Sequence, residues 1–155
     1  VYVPGSLTEA ETFLWYDATP DLTLGIGYLS KQNAFRFLGS YRFVRETARM
    51  PSVHVSVGVQ GIGTGNAGWS GRLEKNFRTS AGNVNVFAGV GLRSNEDHAH
   101  PLGGIKLDMP SRLAVGLQWD GHNSHPFVTQ GFGQFIVGFY LVGGRSPGYL
   151  VGARF

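Results

Sequence analysis

Two short segments carry most of the side chains able to do chemistry. Glu96-Asp97-His98-Ala99-His100 gathers two carboxylates and two imidazoles in one stretch, and oxygen and nitrogen ligands of this kind hold divalent cations. The spacing matches no established ligand pattern, and a polar surface loop needs no ion. Glu96, Asp97, His98 and His100 therefore stand as metal-ligand candidates, with no resident metal or cofactor expected. Asp120-Gly121-His122-Asn123-Ser124-His125 offers a different chemistry. Ser124 has the hydroxyl of a nucleophile, His122 or His125 would be its base, and Asp120 would orient the imidazole. Nucleophile and base must lie within hydrogen-bond reach, which adjacency in a loop does not provide, so a solvated turn is the competing account. Gly61-Ile62-Gly63-Thr64-Gly65 resembles a phosphate loop only in its glycines. No helix pattern and no lysine follow, and it reads as a hairpin turn.

The elements that must position these residues are strands. Side chains of an extended chain alternate between two faces, and apolar residues alternate with small or polar ones along nearly the whole sequence. Leu22, Leu24, Ile26 and Tyr28 share a face. So do Phe35, Phe37, Tyr41 and Phe43, then Val53, Val55, Val57 and Val59, then Val84, Val86, Ala88 and Val90. Turn formers separate the runs, among them Thr19-Pro20-Asp21, Ser80-Ala81-Gly82-Asn83 and Met109-Pro110-Ser111. No helical spacing of apolar residues is sustained, so an all-β antiparallel sheet of hairpin neighbours is expected. The runs place about 10 strands, within a range of 8 to 12, near residues 11–18, 21–30, 33–47, 52–62, 66–78, 83–94, 101–109, 112–120, 126–142 and 147–155.

The final run, Tyr149-Leu150-Val151-Gly152-Ala153-Arg154-Phe155, ends on an aromatic residue. It resembles the closing strand of small bacterial outer-membrane β-barrel proteins, whose last aromatic belongs to the signal read by the barrel-insertion machinery. The resemblance implies a closed, antiparallel, up-and-down transmembrane β-barrel in a bacterial outer membrane. A soluble β-barrel binding an apolar ligand would have the same alternation with the faces exchanged. The small partners favour the membrane reading: Gly58, Gly89, Gly91, Gly116 and Gly152 oppose the apolar face, where a water-facing sheet would carry Lys, Glu and Thr. Trp15, Tyr16, Tyr28, Phe43, Trp69, Phe77, Trp119, Tyr149 and Phe155 are expected to form aromatic girdles. Arg36, Arg42, Arg72, Glu74, Arg93, Lys106, Asp108, Asp120 and Arg154 are expected to face the lumen, and buried charges need partners, so cross-strand pairs should fill it.

His122 two residues before Ser124 at a strand end resembles the outer-membrane lipid A deacylases, small barrels in which a histidine activates a serine for ester hydrolysis. That resemblance implies a lipid-modifying hydrolase as an alternative function. It is confined to these two residues: Pro126-Phe127-Val128 departs from the family, and no acidic residue follows Asp120 to orient the base.

The remaining features bound the function without naming it. A chain of 155 residues makes one domain, and no cysteine means no disulfide and no thiolate chemistry. No apolar run reaches the length of a transmembrane helix. The formal charge of +3 comes from scattered arginines, which gives nucleic-acid binding no footprint. The start at Val1 lacks an export signal, so a cleaved signal peptide is expected. Residues 1–10 read as an extended segment, of which Val1 to Thr8 could add as a strand to a neighbouring subunit. Membrane lipid and lipopolysaccharide are the expected partners, with other envelope proteins or further copies of the chain beside them. The expected function is a structural or interaction barrel without catalysis. One conflict stands in this reading. Ten strands put the long connections near 94–101 and 121–126 on the side where turns are normally short. Dividing the ninth run at Gly131-Phe132-Gly133 removes the conflict but makes the strand number odd.

Overall fold

The alternating runs become strands throughout. The computed structural model describes residues 1–153, and every helix-length segment among them is extended. The strands are β1 (Glu11–Thr19), β2 (Leu22–Leu29), β3 (Ala34–Val44), β4 (Ser52–Val59), β5 (Ala67–Thr79), β6 (Gly82–Arg93), β7 (His100–Asp108), β8 (Leu113–Trp119), β9 (Ser124–Phe132), β10 (Phe135–Val142) and β11 (Ser146–Ala153). Each pairs antiparallel with the next, which gives one eleven-stranded up-and-down sheet in chain order.

The count is eleven because the ninth expected run divides. Gly133, at a φ of 60°, and Gln134 make the turn, and Phe132 pairs with Phe135 at its base. Only glycine enters that left-handed conformation without a Cβ penalty, so the apolar residues on both sides did not keep one strand straight. The division also settles which connections share an end. Ser94–Ala99, Asp120–Asn123 and Gln60–Asn66 lie together at the end opposite the finish of β11, while the tight Pro20-Asp21, Ser80-Ala81 and Gly133-Gln134 turns lie at the finish. Arg45–Pro51 is the one long connection on the tight-turn side.

An odd number of up-and-down strands leaves β1 and β11 parallel, and no ladder joins them directly. The closed barrel that was expected is thus replaced by an open ladder whose gap holds the N-terminal residues. Val1 and Val3 bond back to Glu11 and Glu9. Tyr2, facing the other way, exchanges reciprocal 2.7 Å hydrogen bonds with Tyr149 of β11. The extended start is thus tied to its own chain by single bridges, Tyr2 with Ala10 and Tyr2 with Tyr149.

Many large apolar side chains of the sheet are exposed, while several polar ones are covered. Buried apolar residues are few among the described ones: Val3, Leu29, Leu38 and Ala114. The buried polar residues are Thr8, Glu11, Ser52, Ser70, Asp120, His125 and Thr129. Leu14 is 71 % exposed, Phe35 67 % and Phe37 65 %, and they lie with Ile26, Val57, Val86, Ile105 and Leu117 on the outward face. Removing each such side chain from water is worth roughly 1.5–3 kcal/mol.

The covered face is more mixed than an interior of glycine and charge. The Phe127 ring stacks on Tyr140 at 5.2 Å, and it lies so close over Gly116 that a methyl group there would collide with its Cζ. Phe87 sits over Gly104 in the same way, 2.5 Å from where a Cβ would be. Glycine on this face makes seats for aromatic rings of the neighbouring strand.

Candidate functional site

Three connections at the loop-rich end bring together charged and imidazole side chains. Arg93 ends β6, and Asp120 follows β8. The Asp120 Oδ1 accepts the backbone N–H groups of His122 at 3.0 Å and Asn123 at 2.8 Å, a side-chain turn that fixes the β8–β9 loop. Its Oδ2 accepts Arg93 Nη2 at 2.7 Å, with both side chains nearly buried. Burial would push the Asp120 carboxyl up, but His125 and the two backbone N–H groups outweigh it and hold the group well below the usual aspartate range.

His125 is buried behind this pair. Its Nδ1 accepts the Gly143 N–H at 3.2 Å, which leaves Nε2 to carry the proton, 3.1 Å from Asp120 Oδ2 but poorly aligned with it. Asp120 and His125 of the candidate hydrolytic constellation are thus brought within reach of each other. Ser124 does not complete it. Adjacent strand residues point to opposite faces, and the Ser124 hydroxyl makes no hydrogen bond to His122 or His125. His122 is engaged elsewhere, with Nε2 2.6 Å from Glu96 Oε1.

Glu96, His100 and His122 form the second cluster, and their ligand atoms all lie within 4.8 Å of one another. Glu96 is set by its own loop: Oε2 accepts the Arg93 N–H at 2.8 Å, and the Arg93 Nε lies 3.7 Å from Oε1. Burial raises the Glu96 carboxyl, yet the Arg93 N–H, His122 and the Arg93 guanidinium together hold it below its ordinary value. The His100 and His122 rings are 4.3 Å apart at their centroids, and the His98 ring lies tilted against His100 at 4.6 Å. Of the four metal-ligand candidates in the sequence, Glu96 and His100 join this cluster. Asp97 and His98 pair with each other at 2.6 Å, largely in solvent. His122, read as a base, is the third member.

The lumen candidates pair both along strands and, at Arg93–Asp120 and Arg42–Asp21, across them. Arg72 faces Glu74 at 3.6 Å within β5, and Lys106 faces Asp108 at 3.0 Å within β7. Arg72 also lies over the Phe87 ring, 5.8 Å from its centroid. Arg42 reaches Asp21 in the β1–β2 turn at 2.8 Å, where Arg45 also binds. Arg36 bonds to the Phe35 carbonyl at 3.1 Å. Arg154 lies outside the described residues. Arg72, Arg93, Glu96, His100, Gln118 and Asp120 line a cavity of about 150 Å³, room for a few waters and well below the size of an ordinary small-molecule site.

Among the girdle candidates, Phe43, Trp69, Phe77 and Trp119 lie toward strand ends and are exposed, as is Tyr149 beside the seam. Tyr16 is also outward, but Trp15 is not a member. It pairs with Gly25 midway along β1, which pairs in turn with Leu38, so it shares the face of Leu38 although half of it is exposed. Tyr28 is half-buried and donates to Asn33; Phe155 lies outside the described residues. Sequence patterning gave no sign of Glu11, a buried carboxylate that accepts from Thr8 at 3.1 Å and the Gly63 N–H at 3.0 Å. No protein-family model, curated protein or solved structure matches the chain.

Proposed function

We propose that the chain is a transmembrane β-barrel of a bacterial outer membrane. Its role is structural or interactive, its interior is filled by side chains, and it carries out no catalysis. One observation supports this above the rest: the large apolar side chains face outward while Asp120, His125, Thr129 and Ser70 are buried, the reverse of a soluble domain and the pattern of a sheet solvated by lipid. Tyr2 supplies the seam. The N-terminal residues run antiparallel to both β1 and β11, so inserting them between two parallel edges gives every pairing around the ring the antiparallel sense. Pairing of the remaining edges of β1 and β11 along this line in the membrane would leave no unpaired edge in the hydrocarbon, as a spanning sheet requires. The loop-rich end then faces outward, with lipid and lipopolysaccharide as its surroundings, and the Arg93–Asp120 pair closes the lumen near that mouth.

The test is the solvent the fold requires. Folded, β-rich and monodisperse protein is expected only with detergent or lipid, with faster migration of the unboiled sample on a denaturing gel. A stable β-rich monomer in plain buffer would overturn the reading and return the apolar face to a soluble sheet.

A further inference from the structure

We infer that Glu96, His100 and His122 form a binding site for one divalent transition-metal ion of the Zn²⁺ or Cu²⁺ type. The donors come from two connections that meet only in the fold: Glu96 and His100 flank the β6–β7 loop, and His122 lies in the β8–β9 loop. Two imidazole nitrogens and a single carboxylate suit a borderline ion; Ca²⁺ and Mg²⁺ prefer oxygen ligands and more of them.

The donors are prepared by groups outside the cluster. The Arg93 N–H fixes Glu96 through Oε2 and leaves Oε1, which meets His122 Nε2, to face an ion once that contact opens. Asp120 fixes the backbone at His122. Such support is what orients ligands in built metal sites. With bond lengths of roughly 2.0–2.1 Å, tetrahedral ligand atoms stand about 3.3 Å apart. The Glu96–His122 contact at 2.6 Å must open slightly, and the widest separation, within 4.8 Å, must close. Both changes are side-chain rotations. The proton of the Glu96–His122 hydrogen bond leaves as the ion enters, because the ligating imidazole nitrogen must be free.

Charge does not forbid the ion. Arg93 is the nearest cation, 3.7 Å from Glu96, but its guanidinium is neutralised by Asp120 at 2.7 Å. Three protein ligands leave one coordination position for water. The site needs only the local loop geometry and does not depend on what solvates the sheet.

The experiment uses the full chain, folded in detergent and stripped with a chelator, titrated calorimetrically with Zn²⁺. One equivalent is expected to bind, with affinity falling by about 10-fold or more in His100→Ala and in His122→Ala and unchanged in His54→Ala, a histidine remote from the site. Circular dichroism verifies that each variant is folded. The unaltered chain is also loaded with one equivalent of Cu²⁺, whose electron paramagnetic resonance should show nitrogen coupling from two imidazoles. No saturable Zn²⁺ binding, undiminished binding in either variant, or a Cu²⁺ spectrum without two nitrogen ligands would overturn the site. The Cu²⁺ spectrum decides the question even if a variant does not fold. A chain that binds Zn²⁺ yet folds in plain buffer would retain this site while losing the barrel.

Discussion

Arg93 and Asp120, brought together from the end of β6 and the loop after β8, form a 2.7 Å ion pair with both side chains nearly out of solvent. The Arg93 guanidinium also donates to the Asp120 backbone carbonyl at 2.9 Å, and Asp120 bonds two backbone N–H groups of its own loop. One carboxylate thereby ties two hairpins together, neutralises a buried cation and shapes the β8–β9 connection.

Replacing Asp120 with Asn keeps the shape and removes the charge, which leaves Arg93 without its close partner. A cost of about 3–5 kcal/mol is expected, typical of breaking one side of a buried pair, measured by urea unfolding in detergent or lipid. The pH dependence has a definite sign. A carboxyl held below its unfolded value contributes its full stabilisation above the ordinary aspartate pKa of about 4 and loses it as pH falls through the folded value. The unaltered chain should therefore lose its advantage over Asp120→Asn on acidification below about pH 4. A gap that stays constant into strong acid would contradict the assignment.

Gly116 is required by its neighbour rather than by its own backbone. A Cβ there would meet the Phe127 ring and lie 2.6 Å from the Ile105 carbonyl oxygen, which belongs to the adjoining strand and cannot swing away. Gly116→Ala is expected to destabilise the fold by roughly 1–3 kcal/mol through overpacking. Gly71, which has open space where a Cβ would be, should accept alanine at little cost in the same unfolding assay.

Ile105 separates the two possible solvents of the outer face. It lies in the body of β7 between Val86 and Leu117, all three exposed. An exposed isoleucine of a soluble protein changes to lysine within about 0.5 kcal/mol. On a lipid-facing strand near the bilayer midplane the same Ile105→Lys change costs about 2–4 kcal/mol. Unfolding from lipid vesicles measures the difference directly.

Much of the architecture was legible because the signal is local. Val53, Val55, Val57 and Val59 alternate with His54, Ser56 and Gly58, and the fold keeps that pattern, with Val55 and Val57 exposed and Gly58 buried. The turn at Gly133 was harder. Its glycine sits in a long apolar stretch, and the choice between one strand and two depends on a left-handed φ that an isolated glycine permits without demanding. The Glu96–His100–His122 cluster was legible only in halves. Glu96 and His100 share one loop, but His122 approaches them because the β6–β7 and β8–β9 connections occupy the same end, a relation that follows from strand parity and not from spacing. Ser124 and His125, adjacent in sequence, were separated by the same alternation that identified their strand. Trp15 and Tyr16 could not share one girdle for that reason.

The Tyr2–Tyr149 bridge gives the chain an unusual folding problem. Every other strand pairing joins consecutive segments, so it closes a short loop and forms at small entropic cost. This one joins the two ends of the described chain. Hairpins can accumulate early and in any order, whereas the bridge is the most nonlocal link and should form last, after the sheet has curled enough to bring its edges within reach. It should also be the first to part. With a single residue linking the edges, the weakest line of the molecule runs beside Tyr2, and transient opening there would expose the free backbone of β1 and β11 long before any hairpin is lost.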